Sequence, residues 1–232
     1  MFVKEYSFRY GDLDRNGNVK IGAVLDVLQD VAISHSNSVG YSQAKLLSKS
    51  IAWLLQGWRV KTLKPLSYEQ PVKVVTGIMN VKRFTSERRY EMWQDGELKV
   101  SATADWFTVD IKKMRPILIP DEILEAYDTV NEEDNGLPFT KLRFNDTLDF
   151  VKKTDVEERD LDQNQHVNNA KSAEILTSGV FSFPSELNIT YKKAVMPTDT
   201  ISIFHKKTSD GWLGQIKNQD DEILVLMHLI SL

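Results

Sequence analysis

Asp12-Leu13-Asp14-Arg15-Asn16-Gly17-Asn18-Val19 returns 148 residues later as Asp160-Leu161-Asp162-Gln163-Asn164-Gln165-His166-Val167. Five of the eight positions are identical, among them both aspartates and the first asparagine. A repeat of this kind states one structural unit twice in a single chain. The residues after each copy agree with that. Val24, Leu25, Leu28, Val31 and Ala32 recur at the i, i+3, i+4 spacing of a helix, and Ala170, Ala173, Ile175 and Leu176 make a shorter version.

Strand patterns come next in both halves. After the first helix they are Ile51–Val60, Val72–Val81, Phe84–Trp93 and Leu98–Val109, with turns at Lys64-Pro65-Leu66-Ser67 and Asp95-Gly96. After the second they are Leu187–Lys192, Thr200–Lys206, Trp212–Lys217 and Ile223–Ile230, with turns at Met196-Pro197-Thr198-Asp199 and Asp220-Asp221. The order is therefore strand, Asp-rich loop, helix and about four strands, stated twice. An α+β fold is expected, with an antiparallel sheet wrapped around a helix in each unit. Pairing the two sheets edge to edge would hide strands that a lone unit exposes. The expected division is a first unit over 1–115, an acidic connector over 116–139 and a second unit over 140–232.

Composition narrows the function. The 232 residues include no cysteine, which excludes disulfides, thiolate metal sites and a cysteine nucleophile. A net charge of −4 argues against general nucleic-acid binding. No apolar run approaches the roughly 18 residues of a membrane span, so no membrane insertion is expected. Met1–Tyr6 alternates like a strand and lacks the apolar core of a signal peptide, and a cytoplasmic protein is expected. Residues 59–115 hold 12 Lys or Arg against 7 Asp or Glu, whereas residues 121–162 hold 5 against 14. Such asymmetry suits a docking face for an acidic partner, and equally two differently solvated surfaces.

The repeated loop opens like a calcium-binding EF-hand, but Ala23 and Lys171 stand where that loop needs its twelfth-position Glu. For the first copy, Asp and Asn turns and caps are the better reading. The second copy puts His166 where the first has Asn18, ahead of a helix and close to Asp162 and Asn164. An imidazole beside an acid, an amide and helix N–H groups has the parts of a catalytic site. Other constellations fail. Gly40-Tyr41-Ser42-Gln43-Ala44 lacks the last Gly of a nucleophile elbow, and Ser42 reads as the cap of a short helix. His35, His205 and His228 are isolated, and no phosphate or dinucleotide loop is present.

The segment Asp160-Leu161-Asp162-Gln163-Asn164-Gln165-His166-Val167-Asn168-Asn169 resembles the catalytic motif of the acyl-ACP thioesterases, plant and bacterial enzymes of the hotdog fold. Tyr10-Gly11-Asp12, Trp58-Arg59-Val60 and Ala104–Asp110 through Arg115-Pro116 are similar to the family's first unit, so the likeness spans nearly the whole chain. The resemblance implies a tandem hotdog that hydrolyses the thioester of fatty acyl-[acyl-carrier-protein], with Asp162, Asn164 and His166 as the catalytic set. It implies acyl carrier protein and a fatty acyl chain as partners, with no cofactor and no metal, and leaves a homodimer open. His166 is expected at the interface between the units, facing an apolar tunnel. The family carries an acidic residue, in plants followed by Cys, after a Tyr in the strand beyond the second helix. Here that stretch reads Tyr191-Lys192-Lys193-Ala194-Val195, and Ser172 replaces a Tyr often found after the Asn pair. Three readings stay open. His166 and Asp162 suffice for hydrolysis or Glu174 substitutes; the protein binds acyl thioesters or their carrier without turnover; or it is a hotdog dehydratase.

Overall fold

The stripe Val24, Leu25, Leu28 and Val31 has one apolar face to hide, and in the computed structural model all four are buried on helix α1 (Ile21–Ser38). The structure describes residues 1–127, 136–144, 146–178 and 184–230. Helix α1 is covered by strands β1 (Phe2–Tyr6), β2 (Ile51–Thr62), β3 (Val72–Val81), β4 (Thr85–Gln94) and β5 (Glu97–Asp110). Alternation along these strands sends Trp58, Val60, Tyr90, Met92, Ala102 and Ala104 inward, all at most 1% exposed. Each large apolar side chain buried this way stabilises the fold by about 1.5–3 kcal/mol.

The second half repeats the plan. Strand β7 (Asp149–Asp155) leads through the Asp-rich loop to helix α4 (Asn169–Thr177), then to β8 (Glu186–Tyr191), β9 (Thr200–Lys207), β10 (Gly211–Lys217) and β11 (Ile223–Ile230). Over its described residues α4 is nine residues long, half the length of α1. It buries Ala170, Ala173 and Leu176 as its periodicity predicts, while Ile175 of the same stripe is half-buried.

All these strands form one antiparallel sheet in the order β1-β3-β4-β5-β2-β8-β11-β10-β9-β7. Reading inward from each edge, β1, β3, β4, β5, β2 correspond to β7, β9, β10, β11, β8. The chain is thus a tandem hotdog, and the expected edge-to-edge join is made by β2 and β8, from Gly57 opposite Thr190 to Lys61 opposite Glu186. Gly57 is required at this seam, because a Cβ there would lie 2.2 Å from the Ile189 carbonyl oxygen and 2.7 Å from the Phe139 ring.

Part of the stretch expected to be a connector has structure of its own. Strand β6 (Arg115–Pro116) pairs with β5, and α3 (Asp121–Ala126) buries Ile123 in a second core with Tyr41, Leu46, Ile51, Ile78 and Tyr127. The short helix α2 (Gln43–Ser48) closes that core, with Ser42 accepting from the Lys45 amide as its cap. Residues 128–135 of the connector lie outside the described residues. Beyond them the chain crosses the outer face of the seam. Arg59 Nη1 donates to the Pro138 carbonyl at 3.2 Å, and Asn188 Nδ2 to the Thr140 carbonyl at 3.0 Å.

Candidate active site

The two Asp-rich loops are built from the same hydrogen bonds. Each follows a single 3₁₀ turn, Tyr10–Asp12 or Glu158–Asp160, whose last carboxylate accepts from the backbone three residues earlier. In the first loop the Asp14 N–H donates to the Asn18 carbonyl at 2.8 Å and the Gly17 N–H to the Asp14 carbonyl at 3.1 Å. In the second, the Asp162 N–H donates to the His166 carbonyl at 2.8 Å and the Gln165 N–H to the Asp162 carbonyl at 3.0 Å. Asp14 Oδ1 collects the amides of Asn16 and Asn18, and Asp162 Oδ1 those of Asn164 (2.7 Å) and His166 (3.5 Å). Burial opposes ionisation of Asp14, but the Asn18 and Asn16 donors outweigh it and hold its carboxyl below the usual range. The reading of the first loop as Asp and Asn turns is what the structure shows.

One substitution separates the copies. Asn18 folds its amide back onto its own loop, with Nδ2 donating to Asp14 Oδ2 at 3.4 Å. His166 makes no such bond. Its half-buried ring has no hydrogen-bond partner among the described residues, and Asn164 Nδ2 takes the vacant acceptor, Asp162 Oδ2, at 3.3 Å. The Asp162 carboxylate therefore grips the loop backbone and Asn164 rather than the imidazole. The helix donors expected to polarise a carbonyl are also engaged, since Asn168 Oδ1 accepts from the Ala170 amide at 2.7 Å and the Lys171 amide at 3.4 Å.

Neighbouring elements converge on this loop. The Val167 N–H donates to the Val195 carbonyl at 2.9 Å, which lays the segment after β8 against His166, with Ala194 exposed and Val195 buried. The Tyr191 hydroxyl donates to the Asn169 carbonyl at 2.8 Å, and burial, reinforced by the Asp26 charge, pushes it far above its usual range. The first unit contributes Gln43, from the first turn of α2. Its Nε2 donates to Asn164 Oδ1 at 3.1 Å, and its Oε1 accepts from Gln163 Nε2 at 2.6 Å. The loop thus meets residues of both units. No sequence signal pointed to Gln43, because a polar residue at the start of a helix is ordinary and 121 positions separate it from Asn164.

Glu174 is held by Lys171 at 2.9 Å and lines an open polar groove of about 320 Å³ with Asp12, Asp26 and Asp160. A second open groove, of about 310 Å³, lies beside Trp93 and Gln94. The basic residues of 59–115 have unlike surroundings, as alternation along strands requires. Arg59, Lys64 and Lys82 pair with Glu186, Glu97 and Glu87 at 2.6–3.0 Å. Arg88 is buried and donates to His35 Nδ1 at 2.9 Å. Burial, with Arg88 beside it, lowers the His35 pKa to about 4, so its neutral ring can accept that bond. His205 is likewise a framework residue, its Nε2 2.8 Å from the Leu176 carbonyl.

Comparison with known proteins agrees with this architecture. An acyl-ACP thioesterase from Bacteroides thetaiotaomicron superimposes with a TM-score of 0.89 at 18% identity, covering 99% of this chain and 96% of that one. A 12:0-ACP thioesterase from Umbellularia californica gives 0.84 at 19% identity, covering 99% and 96%. At such identity the likeness establishes the fold. Among curated proteins, a chloroplastic acyl-[acyl-carrier-protein] hydrolase of Cuphea viscosissima is 24% identical over 188 residues. A chloroplastic palmitoyl-acyl carrier protein thioesterase of Arabidopsis thaliana is 27% identical over 189 residues. Each match covers 74% of this chain and 45% of the relative, so the chain spans about half the length of these relatives. The models of the acyl-ACP thioesterase N-terminal and C-terminal domains match residues 1–127 and 145–232. The chain belongs to the acyl-ACP thioesterase family.

Proposed function

We propose that the protein hydrolyses the thioester joining a fatty acyl chain to acyl carrier protein, with His166, Asn164 and Asp162 as its polar machinery. The observation that carries this reading is the loop pair. Two loops share their hydrogen bonds, and in one of them a histidine replaces the amide that would close the loop, leaving an imidazole without a partner among the described residues. In this reading His166 takes a proton from water while the water oxygen bonds to the thioester carbon. The C–S bond then breaks, and the imidazolium returns the proton to the leaving thiolate. Asn164 has a second Nδ2 proton for the carbonyl oxygen, its first being given to Asp162. Asp162 keeps the loop in shape. A positioned base is worth about 10²–10⁴ in rate.

The family relationship and the names of the relatives support the substrate class, and composition supports a cytoplasmic location. The division into units 1–115 and 140–232 is supported by the mirrored strand order, while β6 and α3 tie the first part of the proposed 116–139 connector to the first unit. With two units in one chain, the proposed machinery needs no second copy. Release of free thiol from palmitoyl- and dodecanoyl-acyl carrier protein tests the reading. The His166→Ala variant should be at least about tenfold slower with an unchanged unfolding midpoint, and equal release by both proteins overturns hydrolysis. Ala194, in the place of the family's carboxylate, favours a second reading, acyl-thioester binding without turnover. Saturable binding with no thiol release would establish it.

A further inference from the structure

Three side chains and a carboxylate form a hydrogen-bond chain with a single direction. Asp162 Oδ2 accepts from Asn164 Nδ2 at 3.3 Å, which sets the Asn164 amide with its nitrogen toward the carboxylate. That choice turns Asn164 Oδ1 outward, where only a donor can satisfy it, and Gln43 Nε2 supplies one at 3.1 Å. Gln43 then has Oε1 left, and Gln163 Nε2 donates to it at 2.6 Å. Gln43 stands on α2 of the first unit, while the other three lie in the loop of the second. The first loop has no counterpart to this clamp among the described residues, because its acceptor Asp14 Oδ2 is taken by Asn18 from within the loop.

We infer that Gln43 is a positioning residue for the reaction proposed above: from the first unit it holds the Asn164 amide in the orientation that Asp162 selects. The inference rests on the hydrolase reading for its kinetic consequence, but the geometry it names can be measured separately. Gln43, Gln163 and Asn164 are all exposed, so these bonds add little to stability. Their effect is on orientation. A reacting group displaced by about 1 Å can cost up to 10²-fold in rate.

The test is Gln43→Glu, which keeps the side chain's size and its acceptor toward Gln163 but removes the donor toward Asn164. Two oxygens would then face each other unless the Asn164 amide turns over, and turning brings Oδ1 against the Asp162 carboxylate. With dodecanoyl-acyl carrier protein, kcat should fall at least about fivefold. KM should stay within about twofold and the unfolding midpoint should not move. In an Asn164→Ala background the same substitution should change kcat by less than about twofold, since the coupled partner is gone. Unchanged kcat in Gln43→Glu, or an undiminished loss in the Asn164→Ala background, overturns the inference. A second readout needs no turnover. In protein labelled with ¹⁵N-asparagine, the side-chain NH₂ resonance that disappears in Asn164→Ala should shift in Gln43→Glu, and an unmoved resonance overturns the inference. If the wild type releases no thiol, the hydrolase reading falls alone and this resonance decides the role of Gln43.

Discussion

Replacing His166 by Asn turns the second loop into a chemical copy of the first. In the first loop the amide at this position donates to the loop's own carboxylate at 3.4 Å, and in the second that carboxylate oxygen already accepts from Asn164 at 3.3 Å. An asparagine at 166 therefore finds a ready acceptor and competes with Asn164 for it. The change in stability should be small, below about 1 kcal/mol, because one partly exposed hydrogen bond is added or exchanged. The change in rate should be large. Loss of the base should cost about 10²–10⁴ in kcat, equivalent to about 3–5 kcal/mol of transition-state stabilisation. The assay is thiol release from acyl carrier protein, read with a thiol reagent. The chain has no cysteine, so the protein adds no background. Denaturant unfolding of the same preparations gives the stability arm. A His166→Asn protein that keeps more than about a tenth of the wild-type kcat would refute the role of the imidazole as base. A loss of more than about 2 kcal/mol in stability would show that the ring is a packing residue.

Asp105 lies opposite Glu87 across β4 and β5, with Oδ1 buried and without a hydrogen-bond partner among the described residues. Burial first, and then the Glu87 charge, raise its carboxyl to about 6. Between that value and the unfolded carboxyl near 4 the folded chain binds the extra proton, so ionised Asp105 opposes folding above pH 6 and the opposition fades as pH falls. The shift sets a ceiling of about 3 kcal/mol, and with partial screening by water Asp105→Asn should stabilise by about 2 kcal/mol at pH 8 and by almost nothing near pH 4. Equal gains at both pH values in urea unfolding would contradict this. Gln165 holds the left-handed conformation (φ 61°) that Gly17 holds in the first loop (φ 82°). Gln165→Gly should therefore add about 0.5–1 kcal/mol, visible as a rise of roughly 1–4 °C in the unfolding midpoint, and a fall would show that the turn is unstrained. Ala194→Glu puts a carboxylate one residue from the Val195–Val167 hydrogen bond. It should raise kcat severalfold, and an unchanged kcat would show that this position lies too far from His166 to assist it.

The duplicated architecture was legible in the sequence because it rests on local chemistry. Apolar periodicity of 3.6 or 2 selects helix or strand wherever one face must be buried, and two matched Asp-rich loops announce two matched units. Val72–Val81 and Ile223–Ile230 are strands over the very residues that their β-branched and apolar content marks. The candidate loop was legible for the same reason, since each Asp and Asn in it bonds to neighbours within a few residues. What depended on distant parts of the chain was not. The basic residues of 59–115 look alike in sequence, yet Arg88 is buried against His35 while Arg59 pairs with Glu186, because alternation along the strands and the packing of neighbouring elements set each one's surroundings. Asn164 Oδ1 accepts a hydrogen bond from Gln43, brought to it from the other unit. Composition and spacing determine which elements form. Only tertiary packing decides which side chains, over a hundred positions apart, come within about 3 Å of one another, a distance at which hydrogen bonds form.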